Sequence, residues 1–315
     1  MTGKMTEVSP LKVPIAFIIF NRPETTRRVF EQIAKVRPIR LHIIADGPRS
    51  DVPEDSNRCR QARQIIEEIN WDCDVTFDYS ETNMGIKERI SSGLNGLFSN
   101  VKSAIILEDD CLPNRSFFYY CEQLLSRFEN DPRVMMISGT NFSGNIKPNT
   151  YSYYYSIFPL IWGWATWASS WEHFDGSMRL WPEVRDRGLL AGLFPNPRHR
   201  RYWDKRLQLT YEGRLDTWDY CWILACWLNR ALTTIPSGNL VGNIGFGSQA
   251  THTVGSHSPW MDMHTQDLAF PLVHPPYLIP DAVADKNTQE KVFREHMLAP
   301  IKKRLKLWLQ KIETR

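Results

Sequence analysis

Ile105-Ile106-Leu107-Glu108-Asp109-Asp110-Cys111-Leu112-Pro113 is an apolar run that ends in three consecutive carboxylates, with a proline close behind. The run reads as a buried strand, and Pro113 is expected to stop further pairing. Three adjacent acids repel one another, so the segment costs stability unless positive charge sits beside it. The tip of a strand is also where open α/β sheets present ligand-binding groups. A divalent cation, Mn²⁺ or Mg²⁺, held by carboxylate oxygens and shared with a ligand's phosphates, meets both conditions. A solvated acidic turn or the first turn of a helix accommodates the same residues. The rest of the chain has to choose between these readings.

Toward the N-terminus, strands and helices alternate. Residues 13–20 read as a buried strand, followed by Asn21-Arg22-Pro23-Glu24 and a helix through Ala34 with Val29, Phe30, Ile33 and Ala34 on one face. Residues 41–45 form a second short strand closing on Asp46-Gly47-Pro48. A helix over 59–69, a strand over 75–79, a helix over 88–98 and the strand over 104–107 complete the series. Such alternation implies a parallel sheet with right-handed crossovers. The expected fold is α/β, Rossmann-like, with a mostly parallel sheet flanked by helices.

Beyond Phe117 the pattern loosens. Residues 118–128 are helical in pattern, and 134–137 form an apolar strand before Ser138-Gly139-Thr140-Asn141. An aromatic stretch follows, over 151–155 and Ile161-Trp162-Gly163-Trp164-Ala165-Thr166-Trp167. Helical sequence resumes over 218–229, and the Gly-, Ser- and Thr-rich segment 238–255 reads as loop.

The 315 residues suit one large or two ordinary domains. No internal repeat or biased linker divides them, which favours one continuous domain. A net charge of +3, with acids and bases mixed, offers no global field for nucleic acid. The six cysteines show no Cys-x-x-Cys and no zinc-finger spacing, and no signal peptide precedes them. They are expected to be reduced cytosolic thiols packed as small hydrophobes. No apolar run approaches the roughly 18 residues of a transmembrane helix. From Pro300, Lys302, Lys303, Arg304, Lys306 and Lys311 interleave with Ile301, Leu305, Leu307, Trp308, Leu309 and Ile312. That basic amphipathic tail suits either packing on the domain or peripheral contact with the inner face of an anionic membrane.

The chain has no Gly-x-Gly-x-x-Gly after its first strand, no phosphate-binding Gly-x-x-x-x-Gly-Lys-Ser/Thr, no His-Glu-x-x-His and no Gly-x-Ser-x-Gly. Any chemistry therefore falls to the carboxylates. In a sheet of the expected kind, Asn21, Arg22, Asp46 and the stretch from Glu81 through Lys87 to Arg89 share one crevice with Glu108, Asp109 and Asp110. Arg22 is suited to a phosphate, and Asp46 to a base N–H, although Asp46-Gly47-Pro48 also makes an ordinary turn. Asp216 reads as a helix N-cap. Asp219, one turn further between Trp218 and Trp222, suits a general base whose pKa is raised by desolvation. Ala250-Thr251-His252 in a flexible loop offers hydroxyl, imidazole and backbone N–H groups to a diphosphate. Trp162, Trp164 and Trp167 serve either as core or as flat stacking faces.

The order Val13-Pro14-Ile15-Ala16-Phe17, Asn21-Arg22, Asp46, Glu108-Asp109-Asp110, Trp218-Asp219 and Ala250-Thr251-His252 resembles the nucleotide-diphospho-sugar glycosyltransferases of the GT-A type. It is most similar to the N-acetylglucosaminyltransferase I group and its bacterial relatives, over about residues 13–252. The resemblance implies that Asp110 ligates Mn²⁺ or Mg²⁺ and that Asp109 and Glu108 reach the ribose and donor sugar. It places Asp46 and Arg22 on the base and nucleotide, and Thr251, with His252 beside it, on the diphosphate. Asp219 would deprotonate the acceptor hydroxyl in an inverting transfer from a UDP-sugar, GlcNAc or a related hexose, to a saccharide or glycoconjugate. The corresponding organisation is a tail over 1–12, a transferase domain over 13–285 and the basic tail over 286–315, in a cytoplasmic protein. Within that domain, 13–113 bind nucleotide and 114–285 face the acceptor. Two other functions fit parts of the pattern: a nucleotidyltransferase making sugar nucleotides, and a non-catalytic carbohydrate-binding protein on a transferase scaffold. The first would want a Gly-rich basic loop where Asn21-Arg22-Pro23 stands.

Overall fold

The computed structural model describes residues 10–144, 150–245 and 263–293. The first half builds β1 (Ile15–Ile19), α1 (Pro23–Val36), β2 (Arg40–Ala45), α2 (Asp55–Gln64), β3 (Asp74–Tyr79), α3 (Ile86–Phe98) and β4 (Ser103–Glu108). Every strand of the expected alternation is present, within two residues at each end. These four strands pair in parallel in the order β3-β2-β1-β4. Alternate residues along them serve opposite faces. Ile15, Phe17, Ile105 and Leu107 pack toward α1, whereas Ala16, Ile18, Ala104 and Ile106 pack toward α3. Buried on both faces, the strands need apolar residues throughout, which is why they read as continuous runs.

The second half adds β5 (Cys111–Pro113), α4 (Arg115–Arg127), β6 (Val134–Ser138), β7 (Tyr153–Ser156), β8 (Trp164–Trp167), α5 (Ala168–Trp171), α6 (Trp181–Asp186), α7 (Pro197–Tyr211), α8 (Asp219–Leu228), β9 (Leu232–Pro236), β10 (Val241–Asn243) and α9 (Ala282–Lys291). The main sheet grows to eight strands in the order β3-β2-β1-β4-β8-β6-β9-β7. Only β8 and β7 run against the common direction. The architecture is thus α/β, a mostly parallel sheet flanked by helices.

Several local expectations change. Pro113 does not end pairing: β5 forms an antiparallel two-stranded sheet with β10, inside the segment read as loop. Proline is tolerated there because it ends an edge strand, where its missing N–H is not needed. Trp164 and Trp167 lie on β8, not on a ligand surface. Trp164 is fully buried and stacks on Trp218, their ring centroids 5.4 Å apart, with Trp171 and Trp222 against the same cluster. Trp167 is buried and donates its indole N–H to the Leu125 carbonyl at 3.1 Å. Most of the tryptophan enrichment is therefore core. Five of the six cysteines are buried, consistent with their packing as small hydrophobes. Among the described residues, no helix is long and apolar enough to cross a membrane. The basic stretch from Pro300 lies outside the described residues.

Candidate active site

From β1 the chain steps to β2 and β3 on one side, then returns through α3 to place β4 on the other side of β1. This reversal of strand order opens a crevice beyond the carboxyl ends of β1 and β4, where open α/β sheets bind ligands. A cleft of about 630 Å³ occupies the position, within the usual range for small-molecule sites. Arg22, Asp46, Arg89, Glu108, Asp109, Asp110 and Asp219 all line it. Asn21 and Lys87 do not line it, and Thr251 and His252 lie outside the described residues.

The acids have a positive partner in the protein itself. Arg22, just after β1, places Nη1 2.7 Å from Asp110 Oδ2 and 3.3 Å from Asp109 Oδ1. Asp109 is buried and also accepts from the Phe20 backbone N–H at 3.3 Å. Burial pushes the Glu108 and Asp109 carboxyls well above the usual carboxylate range. The neighbouring acids push the same way, and Arg22 opposes them. The positive charge demanded by the sequence is thus met in part by Arg22.

Asp110 keeps its carboxylate on the cleft wall, its side chain 17% exposed. The β5–β10 pairing delivers the 243–245 backbone beside it, and the Ile244 N–H donates to the Asp110 carbonyl at 2.8 Å. A Cβ at Gly245 would lie 2.3 Å from Asp110 Oδ2, so only glycine leaves that carboxylate in place. Among the described residues, no group of three His, Cys, Asp or Glu side chains gathers as a metal cage. A hard oxygen donor at the cleft wall instead fits a cation bound through one or two carboxylates and shared with ligand phosphates.

Asp46 has a different task from the one its position suggested. Oδ1 accepts from the N–H groups of Gly47 (2.8 Å) and Met84 (2.9 Å). Oδ2 accepts from Asn83 Nδ2 (2.9 Å) and the Gly85 N–H (3.2 Å). Its carboxylate clamps the 83–85 loop that walls the cleft and leads into α3. Asp46→Ala would leave the buried Gly47 N–H and the part-buried donors of the loop without partners, with an expected loss of about 1–3 kcal/mol of stability. Urea unfolding measures it, and a loss below about 1 kcal/mol would refute the clamp.

Two further residues expected at the nucleotide are tied to the framework. Arg89 is buried, ion-paired to Asp78 at 2.7 Å and bonded to the Ala45 carbonyl at 3.2 Å. Asn21 donates to Asp55 Oδ1 at 2.7 Å, and Asp55 in turn holds Arg49 at 2.6 Å. Arg49, which the sequence did not single out, reaches the cleft from that pair.

Across the cleft, α8 begins at Asp219 itself. Asp216 is therefore not its N-cap: Trp218 occupies that position, and Asp216 stays exposed at the cleft rim. Asp219 is half-buried, and its Oδ1 accepts from the Thr217 hydroxyl and, at 2.9 Å, from the Tyr220 N–H. Trp218 and Trp222 hold the helix from behind, within the core. Glu108 and Asp219 are near enough to repel each other electrostatically. Trp162, Tyr220 and Arg206 complete this side. The sequence carried no local signal for Arg206, because α7 acquires its position only by packing on α8.

Fold and site together define an α/β protein whose carboxylate-lined cleft lies at the switch point of a mostly parallel sheet. No family model matches the sequence, and no curated protein matches it. Solved structures resemble it distantly. A mannosyltransferase from Pyrobaculum calidifontis, in complex with GDP-Man and Mn²⁺, is 13% identical over 69% of this chain and 70% of that one, with a TM-score of 0.38. Mouse xyloside xylosyltransferase 1 in its apo form is 12% identical over 70% and 84%, with a TM-score of 0.35. A UDP-glucose pyrophosphorylase complexed with UDP-glucose is 10% identical over 52% and 79%, with a TM-score of 0.30. At such scores the likeness lends no weight to a function, which has to rest on the residues of this chain.

Proposed function

We propose that the protein is a metal-dependent, inverting glycosyltransferase of the GT-A type. It would move a sugar from a UDP-sugar, GlcNAc or a related hexose, to a hydroxyl of a saccharide or glycoconjugate. The observation that carries this reading is the joint placement of Glu108-Asp109-Asp110 and Asp219 on one cleft, with Arg22 ion-paired to Asp109 and Asp110. One wall suits a diphosphate with its counter-charge, and the other offers a fixed carboxylate to an incoming hydroxyl.

Asp110 is the residue that would hold Mn²⁺ or Mg²⁺, which when bound supplies Lewis-acid neutralisation of the leaving diphosphate. Arg22 supplies a second positive charge from the chain itself and orients Asp109 and Asp110. The Asp46 clamp shapes the wall of the nucleotide side. Asp219 takes the acceptor proton as its oxygen attacks the anomeric carbon, and the hydrogen bonds to Oδ1 fix the orientation of that carboxylate. A base on the acceptor side, with no covalent sugar–enzyme bond, gives inversion. The assignment of uracil rests on the family resemblance, since the Asp46 oxygens are taken by the 83–85 loop.

Calorimetry with UDP, GDP, dTDP and CMP, each with and without Mn²⁺, tests the donor. UDP is expected to bind most tightly, and Mn²⁺ to strengthen its binding. Tighter GDP binding would overturn the base assignment, and no binding of any of the four would overturn the function.

A further inference from the structure

Helix α7 carries Arg198, Arg200, Arg201, Lys205 and Arg206 against a single acid, Asp204. None of its four arginines forms an ion pair among the described residues, although most of the other described arginines do. The helix packs on α8, the helix that begins with Asp219. Arg206 points into the cleft beside Leu215, Thr217, Asp219 and Tyr220. Its guanidinium lies over the Tyr202 ring, 5.4 Å from the centroid, and the Tyr202 and Tyr220 hydroxyls meet at 3.3 Å. The guanidinium is thus seated on the Tyr202 ring, half-buried, and lines the end of the cleft that holds Asp219. Nothing on the nucleotide side requires a cation there, since Arg22 already serves the acids.

We propose that this end of the cleft selects an anionic acceptor, a saccharide bearing a carboxylate or a phosphate. Arg206 would contact the charged group, and the outer arginines of α7 would draw it in. A planar guanidinium matches either anion through paired N–H donors. The exposed arginines act over longer range and are sensitive to salt. Asp216 and Asp219 line the same cleft as Arg206, and their negative charges repel a misplaced anion. The anion is therefore held on the α7 side while the hydroxyl approaches Asp219. This inference rests on the transferase reading, so its test separates the two.

A glycan array with neutral, carboxylated and phosphorylated oligosaccharides is probed with wild type, Arg206→Gln, Arg206→Lys and Arg198→Gln/Arg201→Gln. UDP affinity with Mn²⁺ is measured on every variant, together with its melting temperature. Wild type is expected to retain anionic members about tenfold or more over neutral ones. Arg206→Gln should abolish that preference, Arg206→Lys should keep part of it, and the outer double variant should weaken it mainly at low salt. UDP binding is expected to stay the same throughout. Equal retention of neutral and anionic glycans by wild type overturns the proposal, as does an Arg206→Gln variant that keeps the preference or an array that shows no binding. If UDP binding is also lacking, the transferase reading fails with it. Binding to anionic phospholipid vesicles that survives Arg206→Gln, without anionic glycan binding, would assign the basic face to a membrane and overturn the proposal too. Comparison of the carboxylated and phosphorylated members identifies the anion.

Discussion

Asp219→Asn is expected to lower turnover by about 10²–10⁴-fold, the usual worth of a general base, while donor affinity stays within a few-fold of wild type. The substitution is nearly isosteric. Asparagine keeps Oδ1 as an acceptor for the Thr217 hydroxyl and the Tyr220 N–H, so the start of α8 should hold its shape. What it loses is the capacity to accept a proton. Asp216→Asn is the control: exposed at the rim of the same cleft, it should change turnover by no more than a few-fold. Transfer assays on the two variants, with calorimetry for UDP and Mn²⁺, separate catalysis from binding. Proton NMR of the first-formed product from an α-linked donor should show a β-linkage. An α-linked product, or normal turnover in Asp219→Asn, would move the base to another residue.

Asp110→Ala is the second large effect. Turnover is expected to fall by at least about 10²–10³-fold, as when one group aimed at developing charge is removed. The increment that Mn²⁺ adds to UDP affinity should vanish with it. The structure sharpens this test, because Arg22 already sits 2.7 Å from Asp110. Without the Asp110 carboxylate, Arg22 keeps its longer contact to Asp109 at 3.3 Å, so metal-free nucleotide binding should largely survive. Full wild-type activity in excess EDTA would assign the diphosphate to Arg22 alone and remove the metal from the proposal.

Some of the site was legible from local sequence because its cause is local. An apolar run ending abruptly in charge has to place that charge at a strand tip, and in a parallel sheet the tips of β1 and β4 share one edge. Arg22, Asp109 and Asp110 reach the cleft for that reason, whereas Asp219 comes from the start of α8 on the opposite side. Asp46 also reaches it, but its oxygens are claimed by N–H groups of residues 83–85, almost forty positions away. Nothing near Asp46 in the chain announces them. Arg89 illustrates the same limit, since a cation in the first turn of a helix beside the crevice reads as a nucleotide-site residue until the Asp78 carboxylate claims it.

The sequence by itself determined the strand–helix alternation, the α/β class and the position of the acids, because hydrophobic periodicity and strand length are properties of short segments. Only the tertiary structure decided which strands are neighbours. It threaded β8 antiparallel between β4 and β6 and set the Trp164 ring against Trp218. It paired β5 with β10 and so brought Gly245 against Asp110. It laid α7 on α8, which turned Arg206 toward Asp219. Most of these contacts join residues dozens of positions apart. Their partners are chosen by packing of the whole chain, and apolar character in one segment does not specify which distant segment will cover it.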